Sequence, residues 1–519
     1  MKFIATCDAQ LPPLAWCAWT SDAGGTVSLL HGRWVEVGEH FFVEGAWSGD
    51  YAAARPDLSE LAFGSAGVIA DGVLTFVSST ATTDYLYYRD SAEGLIVSNS
   101  LPFLLARLDE LLDARCAHYG AICESITQGI DAYQAEIPTA HGTVRRLMFR
   151  NLVWDGAAVR LVDKPSGKPF SNYEEYAAYL RGQYAAVAAN ARAAERKQPL
   201  RILSTQSRGY DSTAINALAA PFGVDKVFTI SKGKGKDSFA EGDAAVQVND
   251  DGSEIAAILK MPCVALERRQ FEEGLLDEYL YFAGITNCED LNFAGMMTHI
   301  DQPSLLLTGT LGEIYYNRRK HEDMFGPGKI GPELRRGDIG GGHGMGEVRL
   351  QVGLVQAPLI YAGARQRESI VAITESSAMD PWRLNTSYDR PIARRLAEEA
   401  GIPREAFGQK KMASTVVYSR PTFPVESGLS AEFRSWLVQQ GLLRRWQIAL
   451  LPLVHWLNAR IWFASPSKYL PLYYFKRAYL RFRGRHLPMV WQHLDSALYC
   501  FCVNRRKMDY QTGNLKDYR

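Results

Sequence analysis

No stretch of this chain reaches the roughly 18 uncharged apolar residues that a membrane-spanning helix needs. The N-terminal run MKFIATCDAQLPPLAW holds one lysine and meets Asp8 and two prolines at once, so it does not read as a secretory leader. Net charge is missing too: 57 basic residues balance 57 acidic ones, which argues against a surface built throughout for polyanions but leaves room for local patches. Cysteine is sparse. The eight (Cys7, Cys17, Cys116, Cys123, Cys263, Cys288, Cys500, Cys502) form no CxxC pair and no metal-type spacing. They read as reduced thiols of a cytoplasmic protein without disulfides. No internal repeat is present. What remains is the composition of a folded protein, and its 519 residues are too many for one ordinary core, so two domains and a third element are expected.

Residues 1–165 alternate short β-rich runs with turn signals: TVSLLHG, HFFVEGAW, AGVIADGVLTFVSS, DYLYYRD, GLIVSNS and VRRLMFRNLVWDGAAVRLVD. They predict a mostly antiparallel module with a few helices, one of them over PFLLARLDELLDARCAHYGAI, and a first strand, FIATCDA, that buries Cys7. The stretch DKPSGKPFSNY at 163–173 reads as a linker, and a long helix is predicted over 173–197. From 199 the pattern becomes strand, helix, strand, helix: PLRILST, STAINALAAPFG, KVFTISKG, GSEIAAILKM, CVALERR and PSLLLTGT. Continuous apolar strands separated by helices imply a parallel sheet covered on both faces, with ligands at the carboxyl ends of its strands. The glycine-rich region 321–346 is either an active-site lid or a plain surface loop.

Within ILSTQSRGYDSTAINAL, residues 202–218, a strand ends and a helix begins across Ser207-Arg208-Gly209-Tyr210-Asp211-Ser212. Such a turn aims successive backbone N–H groups from the positive end of a helix dipole, which suits a phosphate. Gly209 allows close approach, and the hydroxyls of Ser207 and Ser212 can donate to phosphate oxygens. Asp211 would repel the phosphate unless a metal lay between them, which suggests Mg²⁺. The plainer reading is that Asp211 and Ser212 only cap the helix.

The turn resembles the SGGxDS pyrophosphate loop of the asparagine synthetase family, and further segments match that family in order. IPTAHG (137–142) with FRNLVWDG resembles its proline-glycine hairpin, YLYYRDSAEGLIVSNSLPFLLA (85–106) its strand, turn and strand, and TGTLGEI (308–314) its second acidic motif. YDRPIARRLAEEAGIPREAFGQKKMAS (388–414) resembles the helix and turn before its catalytic lysine. The resemblance covers most of residues 1–415. It implies an N-terminal glutaminase-like α+β sandwich of the N-terminal-nucleophile type (1–165). An α/β ATP-pyrophosphatase domain with a parallel sheet would follow (173–420), then a helical C-terminal extension (421–519). It further implies that a carboxylate is adenylated by ATP and then coupled to an amine. ATP and Mg²⁺ would be held by Ser204, Ser207, Arg208, Gly209, Asp211, Ser212, Gly309 and Thr310, with Asp211 and Glu313 on the metal. The adenine would be read at Phe228 to Ser231. Lys410 matches the catalytic lysine, with Lys411 as its competitor.

Three departures shape the expectation. Arg208 replaces a loop glycine, and either points away, leaving its N–H free, or gripping phosphate as a fork. Thr310 stands where the synthetases carry glutamate and the β-lactam synthetases tyrosine, and a threonine is a poor base at neutral pH. Lys2 stands where the glutaminases carry their nucleophilic cysteine, and His31-Gly32-Arg33 replaces their glutamine-binding run. Glutamine is therefore not the expected nitrogen donor, as in the β-lactam synthetases and lasso-peptide cyclases. The alternatives are a non-catalytic nucleotide-binding or scaffold member, or sulfur transfer to RNA, for which Cys263 and Cys288 are the available thiols.

Between Glu432 and Asp495 acidic residues are absent, while ten basic ones from Arg434 to Arg485 alternate with tryptophan, tyrosine and phenylalanine. This suits a packed helical layer with solvated arginines, or a membrane surface or lipid-linked substrate at 434–485; an acidic peptide would also fit the composition, and nucleic acid is the least expected partner. The composite expectation is a cytoplasmic amide-forming ligase, peripheral to a membrane if that surface is used.

Overall fold

The computed structural model describes residues 1–20, 25–92, 94–128, 131–230, 232–235, 247–266, 276–284, 295–309, 312, 345–386, 388–409, 412–413, 424, 426–463, 469–484, 487, 490–491 and 493–513. Its first part is two packed sheets. The strands are β1 (Lys2–Cys7), β2 (Trp16–Thr20), β3 (Thr26–His31), β4 (Glu36–Val37), β5 (Phe41–Trp47), β6 (Ala62–Ala70) and β7 (Val73–Val77). They continue as β8 (Leu86–Ser91), β9 (Gly94–Ser98), β10 (Glu136–Pro138), β11 (Thr143–Leu147), β12 (Arg150–Trp154) and β13 (Val159–Asp163). One sheet runs β1-β3-β2-β9-β8-β11-β10 and the other β13-β12-β7-β6-β5-β4. Neighbours are antiparallel except β1 and β3, which are parallel. Burial alternates along β3, and Trp16, Val27, Leu29, Phe42, Phe76 and Leu152 fill the space between the sheets. Strand β5 is buried along most of its length, because the helix at Tyr173–Ala191 covers its other face.

Local chemistry moved several boundaries. The helix expected from residue 102 is split into α1 (Leu101–Leu108) and α2 (Tyr119–Glu124): Asp109 takes φ 50°, a left-handed cap that stops the first helix. Helix α3 (Tyr173–Ala191) ends earlier than 197. There the chain turns so that buried Arg196 reaches Glu36 at 2.5 Å, the Asn190 carbonyl at 2.7 Å and the Gly45 carbonyl at 2.7 Å. Cys7 is exposed, a correction to its expected burial, because β1 is an edge strand.

The second part is a five-stranded, wholly parallel sheet ordered β18 (Cys263–Leu266), β15 (Lys226–Ile230), β14 (Arg201–Thr205), β19 (Ser304–Thr308), β20 (Leu354–Pro358). From β14 the chain steps outward through β15 and β18, then crosses back to β19 on the other side of β14. The carboxyl ends of β14 and β19 therefore flank a topological switch point, the crevice where ligands of open α/β sheets bind. A small antiparallel sheet joins β17 (Gln247–Asn249), β16 (Lys232–Gly235) and β21 (Met412–Ala413). The C-terminal helix, His493–Thr512, is no loose extension: Leu498, Cys500, Cys502 and Val503 are buried against α1 and helix Tyr279–Gly284.

Candidate functional site

Strand β14 is buried on both faces and stops at Thr205, where Gln206 turns the chain: its N–H donates to the Phe228 carbonyl at 2.8 Å and its Nε2 to the Ser207 carbonyl at 2.6 Å. Helix α4 (Tyr210–Ala219) starts after Gly209, so the four residues 207–210 face the switch point. Each of their backbone donors has a partner. Ser207 N–H reaches Ser212 Oγ at 3.1 Å, Arg208 N–H the Asp250 carboxylate at 2.9 Å, Gly209 N–H Ser207 Oγ at 3.0 Å, and Tyr210 N–H the Tyr388 hydroxyl at 3.4 Å. The Ser207 and Ser212 hydroxyls lie 2.9 Å apart.

Asp211 pairs with the guanidinium of Arg390, a residue only 2% exposed. The positive charge that the sequence led us to expect from a metal is contributed here by an arginine just before the Pro391 that opens the next helix. Gly309 and Gly312 press on the same residue from the β19 side. A Cβ at Gly309 would strike the Asp211–Ser212 peptide, and one at Gly312 the Asp211 carboxylate. The third contact comes from far along the chain. Gly408 N–H donates to the Arg208 carbonyl at 2.8 Å, and its φ of 65° lets the turn lie against the Tyr210 ring. Arg394 Nη2 donates to the Tyr210 hydroxyl at 2.7 Å, while Tyr388 and Phe407 flank that ring. Burial pushes the Tyr210 hydroxyl's pKa up, with the Arg394 bond opposing. Strand β21, directly after Lys411, pairs Met412 with Gly235, so the chain beyond the lysines runs beside the chain beyond β15.

Several expected contacts sit elsewhere. Ser204 is fully buried in the sheet, its hydroxyl donating to the Leu307 carbonyl at 3.2 Å, because alternate strand residues point into the layer behind the turn. Phe228 is a core side chain whose carbonyl is taken by Gln206. Arg208 meets neither alternative: its guanidinium turns away to the Asp251 carbonyl at 3.1 Å and to Glu254 at 3.1 Å, yet its N–H is not free, since Asp250 holds it. Ser231, Thr310, Glu313, Lys410 and Lys411 lie outside the described residues, as do Cys288 and 321–344. Among the described residues no group of three or more His, Cys, Asp or Glu could hold a metal ion. Tyr388, Arg390 and Asp250 were missed in the sequence. The signal for Arg390 was a charged residue beside a helix-opening proline, inside a segment already singled out for its lysine. No family model and no curated protein matches the chain.

Proposed function

We propose that the chain is an ATP-dependent carbon–nitrogen ligase that adenylates a carboxylate and couples it to an amine not taken from glutamine. One observation carries this reading: Gly309, Gly312 and Gly408, far from 207–212 in sequence, converge on Asp211 and its turn at the switch point of the parallel sheet. They lie in the segments whose residues resemble the asparagine synthetase motifs. Helix α4 supplies the dipole and Ser207 and Ser212 two hydroxyls that can rotate from each other to phosphate oxygens. Arg390 adds a buried cation that can share its charge between Asp211 and a bound anion. Magnesium, when bound, would neutralise the polyphosphate, with Asp211 as one described donor and Glu313 as the second acid; binding there requires Arg390 to yield or share the Asp211 carboxylate.

The test is pyrophosphate release from ATP in the presence of candidate carboxylates. Asp211→Ala should lower the rate by about 100-fold or more, and Asp211→Asn, which keeps the shape beside Arg390, should do nearly as much. Full activity in the asparagine variant would sink the reading. A second reading, a nucleotide-binding or scaffold protein without turnover, is favoured by the same turn: its four donors already have protein partners and Asp211 already pairs with Arg390. Calorimetric binding of ATP with no pyrophosphate from any acid would select it.

A further inference from the structure

The helices Leu451–Phe463 and Leu470–Arg483 pack together, and their outer surface exposes several large apolar side chains. The first helix is apolar on both faces. Leu451, Val454 and Ile461 point inward and are buried, and Asn458 locks this face by exchanging two 2.8 Å hydrogen bonds with the Val490 backbone. Its opposite face shows Leu453 at 60% and Trp456 at 53% exposure. On the second helix no side chain is buried. Tyr474, Phe475, Ala478 and Phe482 follow helical spacing along one outward stripe, with Phe482 at 83% exposure, and Arg477 and Arg481 border it. The Arg460 guanidinium lies over the Trp456 ring at 4.0 Å, keeping a cation beside the apolar face.

We infer that this two-helix face docks on the surface of a bilayer containing anionic lipid, with the aromatic stripe at headgroup depth and the arginines on lipid phosphate. Charge decides the occupant. Residues 433–494 contain no acid, so a two-fold contact with a second copy would set Arg477 and Arg481 against like charges with no carboxylate of this segment to pair them. A nucleic-acid groove would put cations along its centre, whereas here they flank a stripe of apolar rings and Lys476 is spent on the Ile461 carbonyl at 2.7 Å. An apolar stripe bordered by arginine is the pattern of an interfacial helix. Among the described residues no helix is long and apolar enough to cross a membrane, so the contact is peripheral. It is independent of the ligase reading.

The full-length chain is sedimented with phosphatidylcholine vesicles, with and without phosphatidylglycerol. Binding is expected only where the anionic lipid is present, and should weaken as salt rises. The triple variant Tyr474→Ser, Phe475→Ser, Phe482→Ser should bind at least about tenfold more weakly while its thermal melt is unchanged, because none of the three side chains is buried. Equal binding by the variant, or no binding to anionic vesicles, overturns the inference. So does capture of a single-stranded oligonucleotide in place of vesicles, or a concentration-dependent dimer that the triple variant abolishes.

Discussion

Asp211 shows how much a single residue's meaning depends on its neighbours. Read alone it is a helix cap or a metal ligand; in the fold it is clamped between Arg390 and two glycines. The glycines are needed for the protein's own packing, whatever binds beside them. Gly309→Ala should therefore lower stability by about 1–3 kcal/mol in denaturant melts of the ligand-free chain, since a Cβ has only backbone to displace. A loss seen only in activity, with an unchanged melt, would contradict that packing role. Arg208 teaches the same lesson: its backbone and guanidinium are held by Asp250, Asp251 and Glu254, none of which lies near it in sequence.

Elements were legible where pattern and local chemistry agree. The strands ILST, KVFTI and SLLLT and the helix after Gly209 follow from apolar runs and turn residues. Strands β2 and β20 went unread, because WCAWT and LVQAP are short and carry no turn signal specific enough to mark their ends. Helix α3 carries a cap visible in its sequence: Asn172 accepts from the Glu175 N–H at 2.9 Å, and Glu175 returns a bond from the Ser171 N–H at 2.8 Å. Asn172→Ala should cost about 1 kcal/mol, read as a lower urea midpoint with unchanged slope. An increase in stability would mean that the cap is not formed.

At the scale of the whole molecule, buried ion pairs join the sandwich to the parallel-sheet part. Arg349 grips both oxygens of Glu44 at 2.9 and 3.0 Å and reaches Asp84 at 2.6 Å; Arg506, on the C-terminal helix, meets Glu347 at 3.1 Å, and Ser100 donates to Glu347 at 2.6 Å. Removing Arg349 strands two buried carboxylates, so Arg349→Met should cost about 3–5 kcal/mol, measurable by calorimetry. Burial pushes the Asp84 carboxyl up to about 6 from 3.8, with Arg349 pulling it down and Glu44 pushing it further up. A folded value above the unfolded one means that the contribution of Asp84 is fully present below about pH 4 and lost as pH rises through about 6. Asp84→Asn cannot titrate, so its stability relative to the native chain should improve by about 2–3 kcal/mol between about pH 4 and pH 7. Parallel pH dependences for the two proteins would refute it.

By itself the sequence determined the alternation of strand and helix from β14 to β18, the turn at 207–212, the acid-free segment 433–494 and the lysine at position 2. These are matters of local spacing and residue type, which act over a few residues at a time. Only the tertiary structure decided that Arg390 neutralises Asp211, that Gly408 closes on the turn from far along the chain, and that the last helix is core while the helix Leu470–Arg483 buries no side chain. Each of those depends on contacts between residues distant in sequence. Their partners are chosen by which faces the folded chain must bury and which charges it must pair, and no local pattern encodes that choice.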